Sequence, residues 1–287
     1  MSNESNPTQE FTNDNWETGE WLQLNVGLVR QQGDALPNAR LLFARIATLV
    51  NRWRDHGLLH WFFFMRKPPD VRLRFFTKVD QKQAIAEISE LMYTLQQENS
   101  IHLFFFSEYQ PETDRFGGTA AMQLVHQHFD TDTSLWLFLD YLYQHHLSVV
   151  PKDILLSTLL HDLFTRVMPN QRSTLAAWQS LAALIPIPGE TTIPRIKLLS
   201  MENLSQFYSV SGQEADILQG YTIANHILAQ ELVNLQHLGE LTQDLADILA
   251  AIAMFTFHRH GFDSQRSGRL IPAIIDFLEN EHQQDSD

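Results

Sequence analysis

The chain has 287 residues, 44% of them apolar, and no cysteine. This composition allows a sizeable core, and it excludes disulfides, thiolate catalysis and cysteine-ligated metals, as in a cytoplasmic protein. The formal net charge of −14 argues against direct binding to nucleic acid or to an anionic membrane.

The N-terminus, residues 1–14, is polar and has neither a basic nor an apolar region. We therefore expect a disordered segment there, and not a signal peptide. No apolar run reaches the roughly 18 residues that a membrane span needs.

Residues 15–118 alternate between strand-like and helix-like patterns. Strands are predicted for "EWLQLNVGLV", "LLHWFFFMR", "VRLRFFTK" and "IHLFFFSEYQ". Between them, "LPNARLLFARIATLVNRWRDHG" has apolar residues at helical spacing, and a second amphipathic helix follows Asp80 as its N-cap. The order β-α-β-β-α-β predicts a ferredoxin-like antiparallel sheet with both helices on one face.

Residues 119–282 have mostly helical patterns, interrupted by proline-rich breaks between Met168 and Pro194. The fold class predicted is therefore α+β, with a ferredoxin-like sheet followed by a helical half. We expect one domain over residues 15–282.

Arg72 and Arg74 are two residues apart on the predicted third strand, inside a basic segment from Arg66 to Lys78. A period of two puts both guanidinium groups on one face and the intervening apolar residues on the other. Two adjacent guanidinium groups can bind one carboxylate or phosphate. The alternative is an exposed strand protected by its charge.

The turn "YQPETDRFGG" follows the fourth strand. Gly117 and Gly118 allow positive φ angles and leave room for something else to approach. A helix is predicted to start with Thr119 as its N-cap, and backbone N–H groups at such a start favour anions.

The same turn contains Tyr109, Glu112 and Arg115. Together with the adjacent helix start, they favour a binding site for an anionic group. The structural alternatives are local pairing of Glu112 with Arg115 and a core position for Tyr109. The turn alone leaves both interpretations open.

The segment "ELTQDLADILAAIAMFTFHRHGF" predicts a helix with one apolar stripe. At ~100° per residue, Arg259 falls within the stripe, Thr256 lies near its edge and His258 points away from it. A buried arginine needs a partner, so Arg259 either closes a structural salt bridge or faces a pocket. His258 and His260 flank it and can titrate near neutral pH.

No glycine-rich phosphate loop, HExxH or GxSxG motif occurs. The paired histidines of the chain lack carboxylates at ligand spacing. We predict neither a metal site nor a cofactor.

Together these segments resemble the lantibiotic dehydratase C-terminal domain, also called the thiopeptide-type bacteriocin biosynthesis domain. "WFFFMRKPPDVRLRF" is similar to the family's aromatic strand, turn and "HLRLRF", and "YQPETDRFGG" to its "Y-x-P-E-x-x-R-Y-G-G". "HFDTDT" resembles "F-x-x-D-S", and "FHRHGF" resembles "N-R-H-G-L". The segments follow the family order from Trp61 to about Leu270, and the tyrosine–proline–glutamate turn is the most specific of them.

The resemblance implies work on ribosomally made peptides. In full-length relatives, a larger N-terminal domain esterifies peptide Ser or Thr with glutamate from glutamyl-tRNA, and the C-terminal domain eliminates glutamate to leave dehydroalanine or dehydrobutyrine. We expect a standalone form here, so the partners implied are a precursor peptide with its leader and a separate tRNA-dependent glutamylating protein. A homodimer is left open.

The resemblance also implies residue roles. Arg72, Arg74 and Arg115 would bind the glutamyl group, and His258 or His260 would move the proton. The other candidates for substrate binding lie in the same motifs: Tyr109, Glu112, Gly117, Gly118 and Arg259.

Where the family keeps its acid/base histidine, this chain has Met254 or Thr256. Two alternatives to elimination therefore stay open. A pyridine synthase joins two dehydroalanines in a formal four-plus-two cycloaddition and expels the leader, which requires alignment and amide polarisation more than a histidine base. A non-catalytic peptide-binding partner of a dehydratase requires no base.

Overall fold

The computed structural model describes residues 19–147, 150–185, 196–208 and 212–284. Its strands and helices are, in chain order, β1 (Glu20–Leu28), α1 (Leu36–Asp55), β2 (Leu59–Lys67), β3 (Asp70–Thr77), α2 (Gln81–Gln97), β4 (Ile101–Ser107), α3 (Thr119–Gln144), α4 (Lys152–Val167), α5 (Gln171–Leu184), α6 (Met201–Tyr208), α7 (Gly212–Leu238), α8 (Leu245–Arg259) and α9 (Ser264–Gln284). Residues 1–14 and part of the proline-rich segment lie outside the described residues. Across the described ranges, no helix combines the length and the apolarity that a membrane crossing requires.

The four strands form one sheet in the order β2-β3-β1-β4. Every neighbouring pair is antiparallel. The two central strands, β1 and β3, are therefore brought together although a helix and another strand separate them in sequence. This arrangement confirms the predicted α+β class and the ferredoxin-like order of elements.

Helices α1 and α2 cover one face of the sheet. The apolar side chains of β3, such as Leu73 and Phe75, pack there with Ile46 of α1 and Ile88 of α2. The start of α2 is fixed as predicted, because the Asp80 carboxylate accepts hydrogen bonds from the first free backbone N–H groups of the helix, at 3.0 and 3.2 Å.

The helical half covers part of the opposite face. Phe63 and Met65 of β2 point to this side and share a core with Phe129 of α3 and Phe255 of α8. Helix α3 also places Trp136 in the core beneath α1. The long helix α3 thus contacts both cores, while the domain bounds 15–282 stay a prediction.

The start of α3 differs from the predicted one. The helix begins at Thr119, but its N-cap is Gly118, which has φ 113° and provides no side-chain cap. The Thr119 hydroxyl therefore does not cap the helix. A residue at such a φ is strained unless it is glycine, so the turn fixes the position of the N-cap.

Candidate functional site

Arg72 and Arg74 of β3 lie on the sheet face opposite α1 and α2. In the register, Arg74 lies directly between Gln23 of β1 and Phe63 of β2. Its Nε donates a hydrogen bond to Gln23 Oε1 at 2.8 Å, and its guanidinium lies 4.3 Å from the centre of the Tyr109 ring. The period of two therefore predicted the shared face correctly.

Arg74 is a buried cation, with 6% of its surface exposed. Among the described residues, no carboxylate lies within salt-bridge distance of it. Burial lowers the pKa of Arg74 to about 10, which still leaves the side chain protonated at neutral pH. An arginine in this state has lost much of its hydration without gaining an ionic partner.

The turn after β4 brings further charged side chains to the sheet face that carries Arg74. Glu112 Oε1 lies 3.3 Å from Lys67 Nζ, and Glu112 Oε2 lies 2.8 Å from Arg115 Nε. The local pair predicted as the structural alternative is therefore present. The Arg115 side chain nevertheless keeps 44% of its surface exposed, so it stays accessible to a ligand.

Arg72 and Glu112 both affect the pKa of Arg74, in opposite directions. Arg72 helps to lower the pKa of Arg74, and Glu112 opposes that effect. The Nε of Arg72 donates to the backbone carbonyl of Pro68 at 3.1 Å. We call Lys67, Arg72, Arg74 and Arg115 the cationic cluster.

Tyr109 lies under Arg74 and is largely buried. Its hydroxyl is 2.8 Å from Nε2 of His126 on α3. Burial, followed by the charge of Arg74, lowers the pKa of His126 to about 3, so the imidazole is neutral. Burial raises the pKa of Tyr109 to about 12. The core position is thus the one observed for Tyr109, with a neutral histidine as the partner of its hydroxyl.

Gly117 and Gly118 have φ angles of 84° and 113°. A Cβ atom on Gly117 would lie 2.5 Å from Cδ1 of Ile248 on α8. The neighbour that approaches Gly117 is therefore a side chain of the protein. Substrate binding by these two glycines stays a prediction.

Arg259 closes a structural salt bridge, one of the two outcomes that its helical phase allowed. It is fully buried and pairs with Asp132 of α3. Its Nε donates to the Phe64 carbonyl of β2 at 3.0 Å. His260 Nε2 lies 3.2 Å from the other oxygen of Asp132. Burial alone would raise the pKa of Asp132, but His260 and Arg259 together hold it well below its usual value.

The expectation that Arg259 and His260 touch the substrate does not fit this arrangement, because both side chains are enclosed. Asp132 was not among the predicted residues. Two features of the sequence pointed to Asp132. Arg259 needs a partner, and Asp132 lies in "HFDTDT", one of the motif-like segments.

His258 is exposed, as its helical phase predicts, whereas Thr256 is buried. Partial desolvation by the surrounding protein, together with the charge of Lys67, lowers the pKa of His258. The charge of Lys67, a member of the cationic cluster, thus acts on the titratable imidazole of His258, and the lowered pKa leaves that imidazole neutral at pH 7.

Two solved structures are similar to this fold. The chain resembles the crystal structure of MibB, a tRNA-dependent lantibiotic dehydratase from Microbispora sp. 107891, with a TM-score of 0.56 and 14% identity over 93% of this chain and 29% of MibB. It also resembles the crystal structure of TsrL, with a TM-score of 0.57 and 15% identity over 93% of this chain and 96% of TsrL. At these identities, the likeness concerns the fold.

No curated protein sequence matches the chain significantly. A family model described as "Lantibiotic biosynthesis dehydratase C-term" matches residues 21–275. Since that match covers most of the sequence and includes every motif-like segment described above, the chain belongs to the lantibiotic biosynthesis dehydratase C-terminal family.

Proposed function

We propose that the protein eliminates glutamate from glutamylated Ser or Thr of a precursor peptide, leaving dehydroalanine or dehydrobutyrine. The observation that carries this proposal is Arg74, a buried cation without a carboxylate partner among the described residues. Arg259 is buried too, but it has Asp132 as its partner. A carboxylate of the glutamyl group would supply to Arg74 the counter-ion that the protein supplies to Arg259.

The reaction removes the α-proton, breaks the Cβ–O bond and releases glutamate as a carboxylate. Negative charge therefore develops at the enolate and then at the leaving group. Fixed cations that point at such charge stabilise the transition state. In this proposal Arg74 holds the glutamyl group, while Arg72 and Arg115 stabilise the developing charge.

His258 is the proton carrier of the proposal. Its lowered pKa keeps the imidazole neutral at pH 7, which is the form that can accept the α-proton. Arg259 and His260 act as positioning residues, because they tie α8, which carries His258, to α3 and β2.

The test is incubation of the protein with a synthetic peptide that carries a glutamyl-Ser ester. The expected product has lost one glutamic acid, as measured by mass spectrometry. Arg74→Ala should lower the rate by about a hundredfold or more, because it removes the cation that holds the glutamyl carboxylate, the group that leaves as an anion. The matched control is Arg45→Ala, since Arg45 lies on α1 and pairs with Glu98 at the surface.

An unchanged peptide mass, in an assay where a known eliminating enzyme is active, would reject the proposal. Equal rates for Arg74→Ala and Arg45→Ala would reject the role given to Arg74.

Pyridine formation is the second candidate. It is favoured by the two residues at the position of the family's histidine, because Met254 does not titrate and Thr256 is fully buried. A cycloaddition needs alignment and polarisation of the peptide more than a base at that position. The corresponding assay uses a peptide with two dehydroalanines, and the expected result is a macrocycle with loss of the leader. Absence of both products excludes this candidate.

A further inference from the structure

Ser107 is the last residue of β4 and is exposed to solvent. In the register it lies opposite Gln23 of β1, which in turn lies opposite Arg74 of β3. Side chains directly opposite each other point to the same face of a sheet. Ser107 therefore shares the face of the cationic cluster, at about 10 Å from Arg74 if each strand-to-strand step is about 5 Å.

Two buried amides donate to the Ser107 hydroxyl oxygen. Gln23 Nε2 lies 2.7 Å from Ser107 Oγ, and Asn25 Nδ2 lies 2.8 Å from the same atom. Both amides are almost completely enclosed, so their direction is decided by their protein partners.

The orientation of each side-chain amide, Gln23 and Asn25, follows from one hydrogen-bond partner that can only donate or can only accept. Arg74 Nε can only donate, so the atom of Gln23 that it meets at 2.8 Å is the carbonyl oxygen. The Phe105 carbonyl can only accept, so the atom of Asn25 that it meets at 3.2 Å is the NH₂ group. Both NH₂ groups are therefore donors to Ser107.

A serine oxygen has two lone pairs, and the two amides occupy both. The hydroxyl hydrogen must then point to a third group. In the described part of the chain, no hydrogen bond from this hydroxyl to a protein acceptor is present, and the exposure of Ser107 leaves the hydrogen directed to solvent. Donors to the oxygen polarise the O–H bond and strengthen it as a donor.

We propose that the Ser107 hydroxyl donates a hydrogen bond to a carbonyl or carboxylate oxygen of the acylated peptide, with its hydrogen directed outward by Gln23 and Asn25. The proposal rests on the proposed function and adds a second recognition point to that site. A span of about 10 Å equals about three residues of extended peptide, so the glutamyl group can reach Arg74 while a neighbouring peptide oxygen reaches Ser107.

A nucleophilic role for Ser107 is disfavoured by the same contacts. A nucleophile needs a free lone pair and an adjacent base. Both lone pairs are occupied by N–H donors, and neither amide can remove a proton. The arrangement therefore suits a donor that binds, and not a hydroxyl that attacks.

The test measures binding, which does not depend on turnover. The probe is a fluorescently labelled peptide in which glutamate is joined through an amide to diaminopropionate, an analogue of the glutamyl-Ser ester. Ser107→Ala should weaken binding about tenfold, the value of one hydrogen bond to a charged or polar oxygen. Ser107→Thr, which keeps the hydroxyl, should bind like the wild type.

The matched control is Ser205→Ala, because the exposed Ser205 already donates to the Met201 carbonyl at 2.8 Å.

Wild-type affinity in Ser107→Ala, or a loss of affinity in Ser107→Thr equal to that in Ser107→Ala, overturns the inference. If Ser107→Ala binds as tightly as the wild type while the wild type still eliminates glutamate from the ester peptide, the inference fails and the proposed function stands. If the Ser107 effect appears without elimination, the recognition point stands without the reaction. Absence of binding by the wild type overturns both.

Discussion

Replacing Asp132 by Asn removes the negative charge from a fully buried ion pair and leaves Arg259 charged. Breaking one side of such a pair costs about 3–5 kcal/mol, because the remaining charge is desolvated without compensation. At about 2 °C per kcal/mol for a chain of this size, we expect the melting temperature to fall by roughly 6–10 °C. The substitution also changes the two other contacts of the Asp132 carboxylate, to His260 and to the Tyr221 hydroxyl.

The double variant Asp132→Asn with Arg259→Met separates the interaction energy of the ion pair from the cost of altering each buried side chain. It leaves no unpaired charge, so it should be less destabilised than the sum of the single variants by about 2 kcal/mol. Urea unfolding followed by circular dichroism measures all three. Glu98→Gln, which breaks a surface pair with Arg45, is the control and should cost less than about 1 kcal/mol. Additive effects of the two buried substitutions would refute the account of Arg259 as a structural residue.

Three further predictions concern packing and pH. Gly117→Ala adds overpacking against α8 to the strain of a positive φ, so its free energy of unfolding should fall by about 1–3 kcal/mol more than in Gly33→Ala, where φ is also positive but the space is open. Equal urea midpoints for the two would contradict the packing role. Lys67→Met should raise the pKa of His258 and move the acidic limb of the pH–rate profile to higher pH; an unmoved limb would separate His258 from the reaction. The folded-state pKa of Asp132 is depressed, so its contribution to stability is present above the unfolded value near 4 and is lost as pH falls. Asp132→Asn should therefore lose stability less steeply than the wild type in acid unfolding.

The local periodicities of the sequence predicted much of the fold. Alternation along β3 gave the faces of Arg72 and Arg74, and the helical phase of α8 gave a buried Arg259 and an exposed His258. Both are properties of a single element, so neither required knowledge of its neighbours.

Contacts between distant segments could not be predicted in the same way. Asp132 and Arg259 are 127 residues apart, and periodicity says that Arg259 needs a partner without saying which. The burial of Arg74 depends on the turn that places the Tyr109 ring against its guanidinium group. The direction of the Ser107 hydroxyl depends on three strands in register, which only the assembled sheet defines.

The alternation of β3 has a consequence for the kinds of sequence change that the protein can accept. A one-residue insertion or deletion inside the strand would reverse the faces beyond it, sending Arg74 into the apolar layer beneath α1 and an apolar side chain into the site. A point substitution on one face of β3 affects either the core or the candidate site. A one-residue insertion or deletion inside the strand disrupts both together. We therefore expect length variation to be confined to the ends of β3.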